Sequence, residues 1–295
     1  MINSTSKQIP QWKPSCSVDA LKARAEVYSS IRAFFYARDV MEVETPILSR
    51  TTATDPFLES ISASLKVNHG QKPQPYFLHT SPEFPMKRLL AADSGSIYQI
   101  CKTFRNAETG NRHNPEFTML EWYRLRFSLA DLMEEVEALV SQVLDQPFET
   151  FQRISYRGAF EEHLGINPFT VSDDELIKLA EQKAGFIASP ADAVSLSRDD
   201  YLNALLSICI EPNLGKSNDD SLKPTFLYAY PPSQASLAKL KCDDSGELVA
   251  ERFELYIKGL EIANGYYELT DAIEQRCRFD EDNRQRMQLG LPVIP

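Results

Sequence analysis

The chain has 295 residues, 43% hydrophobic and 25% charged, which suffices for one large buried core and carries no bias toward disorder or a fibrous repeat. Its formal net charge of −11 disfavours holding a long phosphate backbone, although a local basic patch can coexist with an acidic total. No apolar run approaches the roughly 18 to 20 residues of a bilayer span, and Met1 to Pro14 lacks the charged-then-apolar pattern of a signal peptide, so a soluble, cytoplasmic protein is expected.

In chain order, Val18, Leu21, Ala25, Tyr28, Ile31 and Phe35 recur at spacings of three and four and predict an amphipathic helix from Ser17 to Asp39, with Ser17 as its cap. Val40 to Thr45 alternates apolar and polar like a half-buried strand that Pro46 ends. Strands are also expected at Tyr76 to Thr80, Ser96 to Arg105 and Glu116 to Arg124, the last two forming an antiparallel hairpin around the polar loop Asn106 to Pro115. Leu129 to about Pro190 reads as helices in a scaffolding role. Pro224 to Tyr230 reads as a strand, and Glu251 to Thr270 as two strands folded near Lys258-Gly259. A charged helix follows Asp271. Strands gathered around helical insertions, without regular β-α alternation, indicate an α+β fold.

Cys16, Cys101, Cys209, Cys242 and Cys277 are odd in number and contain no C-x-x-C pair, which argues against a disulfide framework or a thiolate zinc site. Reduced, structural thiols are expected.

The densest polar cluster runs from Phe104 to Tyr123. On the second strand of the hairpin a period of two puts Phe117, Met119, Glu121 and Tyr123 on one face and Thr118, Leu120 and Trp122 on the other. Arg105, Arg112 and His113 supply positive charge suited to a polyphosphate, and Phe117 a π face suited to a purine. Residue types alone leave an ordinary exposed hairpin equally open, since loop charges are commonly just solvated.

The stretch Arg112-His113-Asn114-Pro115-Glu116-Phe117-Thr118-Met119-Leu120-Glu121-Trp122-Tyr123 resembles motif 2 of class II aminoacyl-tRNA synthetases in its lysyl form. The helix and strand ending in Val43-Glu44-Thr45-Pro46 resemble motif 1, the dimer-interface element. His79-Thr80-Ser81-Pro82-Glu83 with Met86-Lys87-Arg88-Leu89-Leu90, and Glu254 to Asp271, are similar to further segments of lysyl enzymes. The four motifs stand in family order over nearly the whole chain.

The resemblance implies a class II synthetase catalytic fold, an antiparallel sheet flanked by helices, over residues 17–295, with residues 1–16 as an N-terminal extension. It implies ATP as substrate with Mg²⁺. Arg105 would bind the α-phosphate and the charge that develops during in-line attack, and so act as the catalytic residue. Arg112, His113 and Asn114 would hold the outer phosphates and the adenine edge, with Phe117 stacked on the base; Asn106, Ala107 and Ile262 complete the ATP set with Glu261. Glu254 and Glu261 would hold the metal. Glu83, Glu268 and Tyr123 resemble residues that bind lysine's amino groups, with Ser81 and Asn264 nearby, because each of two cations taken out of water needs a counter-charge. The chain departs from the lysyl pattern at Ala107, where the family has a glutamate; Glu108 stands one position later.

Only residues 1–16 precede the motif 1 helix, too few for the anticodon-reading domain of roughly a hundred residues that lysyl synthetases carry there. The pattern, including Pro231 to Ala238, is similar to freestanding lysyl-type paralogues that pass (R)-β-lysine to a lysine of elongation factor P, so that protein and not tRNA is the expected acceptor, and a homodimer the expected assembly. A truncated enzyme charging tRNA with α-lysine and a non-catalytic regulatory paralogue are the alternatives. Motif 3, with its γ-phosphate arginine, is not found before Pro295, so a chain ending there is expected to adenylate poorly.

Overall fold

The computed structural model describes residue 12 and residues 14–66, 68–70, 72–110, 113–146, 148, 150–187, 196–216 and 221–294. Most of the expected extension 1–16 lies outside the described residues. Helix α1 (Val18–Tyr36) begins where Ser17 Oγ accepts the Ala20 N–H at 3.1 Å. Its last turns bury Ile31, Phe34 and Phe35, whereas Val18 and Leu21 are 66% and 52% exposed. The apolar stripe is thus covered over only half its length.

Strand β1 is Met41–Glu42, two residues where six were expected, although Val43 N–H still reaches Tyr98 O at 2.8 Å. Strands β2 (Leu48–Ser49), β3 (Ser62–Leu65) and β4 (Gln74–Leu78) form a small sheet ordered β2-β4-β3 that leads into helix α2 (Glu83–Ala91). β5 (Ile97–Phe104) and β6 (Glu116–Tyr123) make the expected antiparallel hairpin in register from Ile97↔Tyr123 to Phe104↔Glu116, and β1 adds in parallel beside β5. Phe35 stacks on Tyr98 with ring centroids 4.4 Å apart, which seats α1 on this sheet.

Helix α3 (Leu129–Leu144) is capped reciprocally by Ser128 and Asp131. The expectation of helices alone up to about Pro190 needs correcting: β7 (Gln152–Ser155) intervenes before α4 (Tyr156–Leu164) and α5 (Asp173–Leu179) and pairs in parallel with a later strand. Four half-covered residues on a sheet edge, with Arg153 exposed, are too few to show a readable alternation. After α6 (Arg198–Leu205), strands β8 (Thr225–Tyr230), β9 (Leu240–Cys242), β10 (Leu248–Ile257) and β11 (Leu260–Tyr266) complete a five-stranded sheet with the path β11-β10-β8-β7 and β9 on β10. Helix α7 (Ala272–Gln288) starts at Asp271, whose side chain accepts from Ile273 and Glu274 N–H. Antiparallel pairing dominates and the fold is α+β, as expected.

The largest core joins α4, α5 and α6 to the five-stranded sheet through Tyr156, Phe160, Leu202, Leu205, Leu227, Tyr230 and Tyr256. A second joins α3 to the same sheet through Met133, Val136, Phe226 and Phe253, with Trp122 of β6 packed against it, so the two large sheets share a wall. All five cysteines are free, but Cys16, Cys242 and Cys277 are exposed, which removes the structural role expected for those three. No helix among the described residues is long and apolar enough to cross a membrane.

The β10–β11 hairpin turns at Lys258 and Gly259, both at positive φ (50° and 70°), the conformation of a primed two-residue turn. Gly265 faces Phe253 in register, and a Cβ there would stand 2.5 Å from the Phe253 ring, so only glycine permits this closeness. Gly265→Ala is expected to destabilise the protein by about 1 to 3 kcal/mol through overpacking, measured as a lower denaturation midpoint in urea.

Candidate active site

Two clusters flank a cavity of about 1310 Å³ whose wall includes Ser81, Glu83, Arg252, Glu254 and Glu261. The first cluster starts at the N-terminus of α2, where Ser81 Oγ accepts the Glu83 N–H at 3.3 Å. One turn on, Lys87 Nζ lies 2.6 Å from Glu83 Oε1 and 2.6 Å from Glu268 Oε2. Glu268 is held by the backbone of residues 237–239: Lys239 N–H donates to Tyr267 O at 2.8 Å and Leu269 N–H to Leu237 O at 2.9 Å. The Pro231 to Ala238 stretch therefore leads into the segment that positions this carboxylate.

Strand β6 contributes Tyr123, whose hydroxyl donates to Glu121 Oε1 at 2.9 Å, and β11 contributes Tyr266, whose ring centroid is 5.8 Å from Lys87 Nζ. Burial, reinforced by the negative charge of Glu83, pushes the Glu121 carboxyl up to about 8. Burial likewise pushes Glu268 up to about 7, with Lys87 acting in the opposite direction. Burial opposes the charge on Lys87, yet Glu83 and Glu268 outweigh it and its pKa is raised. Desolvation holds both tyrosine hydroxyls well above their ordinary value, so they remain donors.

The second cluster lies on β10 and β11. Glu254 is buried, its Oε2 accepting from Tyr230 and Tyr256 hydroxyls at 2.6 Å each and its Oε1 from Arg252. Glu254 stands opposite Asn264, and a register shift after Leu255 sets Glu261 opposite Tyr256. Glu261 opens into the cavity, yet the protein around it and the nearby Glu254 push it up to about 7, against Arg252 and Arg105. Among the described residues no group of three or more His, Cys, Asp or Glu converges as a metal cage. Glu254 and Glu261 offer hard oxygens with lone pairs still free, a donor set that suits a divalent ion whose other ligands come from phosphate and water.

Arg105 closes the first strand of the hairpin; its guanidinium sits 5.3 Å from the Phe117 ring centroid and 3.7 Å from Glu108 Oε2. Asn106 is tied to the loop before β3, its Nδ2 donating to Glu59 Oε1 at 2.8 Å, and Ala107 sits at φ 59°. His113 and Asn114 are exposed on the loop, and Arg112 lies outside the described residues. Ile262 is 51% exposed. Ser81, Glu83, Tyr123 and Glu268 thus come together, whereas Asn264 stands apart from them, its Oδ1 accepting from Arg252 at 3.4 Å.

Four residues of the site escape a reading of the sequence. Glu121 is placed on the Tyr123 face by the strand period but is given no role until its burial is known, Lys87 is signalled by its i,i+4 spacing from Glu83, and Tyr230 and Tyr256 need the strand register.

Because the folded protein binds a proton at Glu121 more tightly than an unfolded carboxyl near 4.5, this site's stabilising contribution is full below about pH 4.5 and is lost as the pH rises toward about 8. Glu121→Gln, which keeps the acceptor for Tyr123, should melt at a higher temperature than the parent by a margin that widens between about pH 5 and 8. A margin independent of pH in thermal melts would contradict this assignment.

A family model described as tRNA synthetases class II (D, K and N) matches residues 9–289. The chain is 47% identical over 283 residues to the elongation factor P–(R)-β-lysine ligase of Avibacterium paragallinarum, covering 96% of this chain and 84% of the relative. Proteins of the same description from Histophilus somni (strain 2336) and Pectobacterium atrosepticum are 47% and 46% identical, each over 96% of this chain and over 83% and 84% of their own lengths. The motif order, the hairpin and the similarity over nearly the whole chain together make this protein a member of the class II tRNA synthetase family.

Proposed function

We propose that the protein activates (R)-β-lysine with ATP and passes the acyl group to the ε-amine of a lysine on elongation factor P, in the cytoplasm, with residues 17–295 as the catalytic domain. The observation that carries this reading is the amine pocket: Glu83, Glu121 and Glu268 face a single internal ammonium, Lys87, and so suit a substrate with two ammonium groups. The ligase names of the relatives agree with it.

In the first step a carboxylate oxygen of the amino acid attacks the α-phosphorus, the bond to the β-phosphate bridging oxygen breaks, and pyrophosphate leaves. Arg105 receives the α-phosphate and its developing charge. His113, Asn114 and Arg112 grip the outer phosphates and adenine edge, and Phe117 offers its face to the base once the Arg105 guanidinium moves from it to phosphate. Glu254 and Glu261 would hold Mg²⁺, which supplies neutralisation of phosphate charge when bound. Glu83, Glu268, Tyr123 and Glu121 hold the substrate's ammonium groups, with Ser81 at the rim. In the second step the neutral acceptor amine attacks the acyl carbon, AMP leaves, and the amide nitrogen loses a proton to solvent; positioning suffices for a mixed anhydride this reactive.

ATP–pyrophosphate exchange dependent on (R)-β-lysine, followed by labelling of purified elongation factor P, tests the scheme. Glu268→Gln should raise KM for the diamine by about tenfold or more while KM for ATP changes little, since it leaves a substrate ammonium under-compensated. Label appearing on tRNA and not on the protein would replace the acceptor.

The uncovered half of α1, continued by Met41 (50% exposed) on the edge strand β1, supports a symmetric homodimer through this face. Light scattering at micromolar concentration is expected to give twice 33.4 kDa, and Leu21→Asp to halve it. A parent that scatters as a monomer overturns the dimer.

A further inference from the structure

Lys87 belongs to the protein, yet it occupies the point between two carboxylates that the proposed function reserves for a cationic substrate. Its Nζ is 2.6 Å from an oxygen of each, so Glu83 and Glu268 can stand no farther apart than that bridge allows. The two come from α2 and from the residues just after β11, segments with no covalent reason to stay in step. Among the described residues the charged or titratable groups that interact with Lys87 belong to the pocket: Glu83 on α2, Tyr266 on β11, Glu268 just after it and Glu121 on β6, where the Tyr123 hydroxyl donates to Glu121.

We propose that Lys87 is a positioning and specificity-determining residue: it spaces Glu83 and Glu268 and leaves the pocket, with Glu121, short of two positive charges, the number that a diamino acid brings. This rests on the assignment of the cluster as the amine pocket. The bookkeeping is chemical. Three carboxylates against one ammonium leave room for two more cations, and a substrate with one amine leaves a buried anion unmatched, which the low dielectric of the pocket penalises. Glu121 answers the empty state, for a proton on its carboxyl substitutes for an absent ammonium. The same bridge keeps Lys87 protonated and without a lone pair, so the ammonium beside a reactive acyl adenylate is not itself acylated.

The charge on Lys87 lowers the pKa of both Glu121 and Glu268. Removing it raises them further, so the fully ionised pocket forms only at higher pH and the acid limb of the diamine profile moves upward. Exchange kinetics with (R)-β-lysine are measured from about pH 6 to 9 on the parent, Lys87→Met, Lys87→Gln and Lys87→Arg, with Glu268→Gln in parallel. Both neutral variants are expected to raise the diamine KM by about tenfold or more, to leave KM for ATP within about twofold, and to shift the acid limb of kcat/KM up by about one pH unit. Lys87→Arg keeps the charge and should keep the limb. If Lys87→Met does not fold, Lys87→Gln, which can still hydrogen-bond to a carboxylate, carries the same test. An unmoved limb in a folded neutral variant, or equal changes in both KM values, overturns the role given to Lys87. If Glu268→Gln acts selectively on the diamine while the Lys87 variants do not, only this inference falls; if Glu268→Gln is also unselective, the pocket assignment falls with it.

Discussion

The contact of Lys87 with both Glu83 and Glu268 forms only where a helix start and a strand end meet, and much of the architecture serves that meeting. Charges removed from water are tolerable only in company, and the company here is drawn from α2, β6 and β11. Helix α2 enters from the small sheet β2-β4-β3, β6 lies against α1 and α3, and β11 hangs from β10. Glu268 stays in place because residues 237–239 pair with residues 267–269. A fold of packed layers delivers side chains from distant parts of the chain to one point, which a single helix or hairpin cannot do.

The proposed phosphate end is built on a different balance. Glu254 is immobilised by two tyrosine hydroxyls and Arg252, all of its partners lying on β8 and β10. Glu261 has no such collar and is left to the cavity and to the field of Arg252 and Arg105. One carboxylate is fixed in place and the other is free to answer a ligand. The rigid one provides geometry and the responsive one provides charge, a division that keeps a preorganised site from collapsing on itself when nothing is bound.

Hydrophobic period reveals α1 and the β5–β6 hairpin, each long enough for several repeats of 3.6 or 2 residues, whereas the Lys258-Gly259 turn marks the β10–β11 hairpin and the charged run after Asp271 marks α7. β1 shrinks to two residues and β7 goes unseen, since short parallel strands carry no alternation of their own. In the site, Glu83, Tyr123 and Glu268 are legible through the resemblance to lysyl enzymes, and Arg105 through its place at the end of β5. Lys87 is not, because its partner Glu268 is remote in sequence and a lysine on a helix is ordinarily a solvated surface residue. The collar of Glu254 is hidden for a similar cause: Tyr230 reaches it across a strand pair whose register the amino-acid order leaves open.

One ribbon, β11 with the residues just after it, carries both Glu261, at the proposed phosphate end, and Glu268, at the proposed amine end. Gly265, pressed against Phe253, sits between them and gives that ribbon little slack. Under the proposed function the two reactants would therefore be gripped by one stiff piece of backbone and not by independent hands. Any adjustment that one makes on arrival is presented to the other, and thermodynamic reciprocity requires that whatever factor nucleotide applies to the affinity for amino acid, amino acid returns to nucleotide.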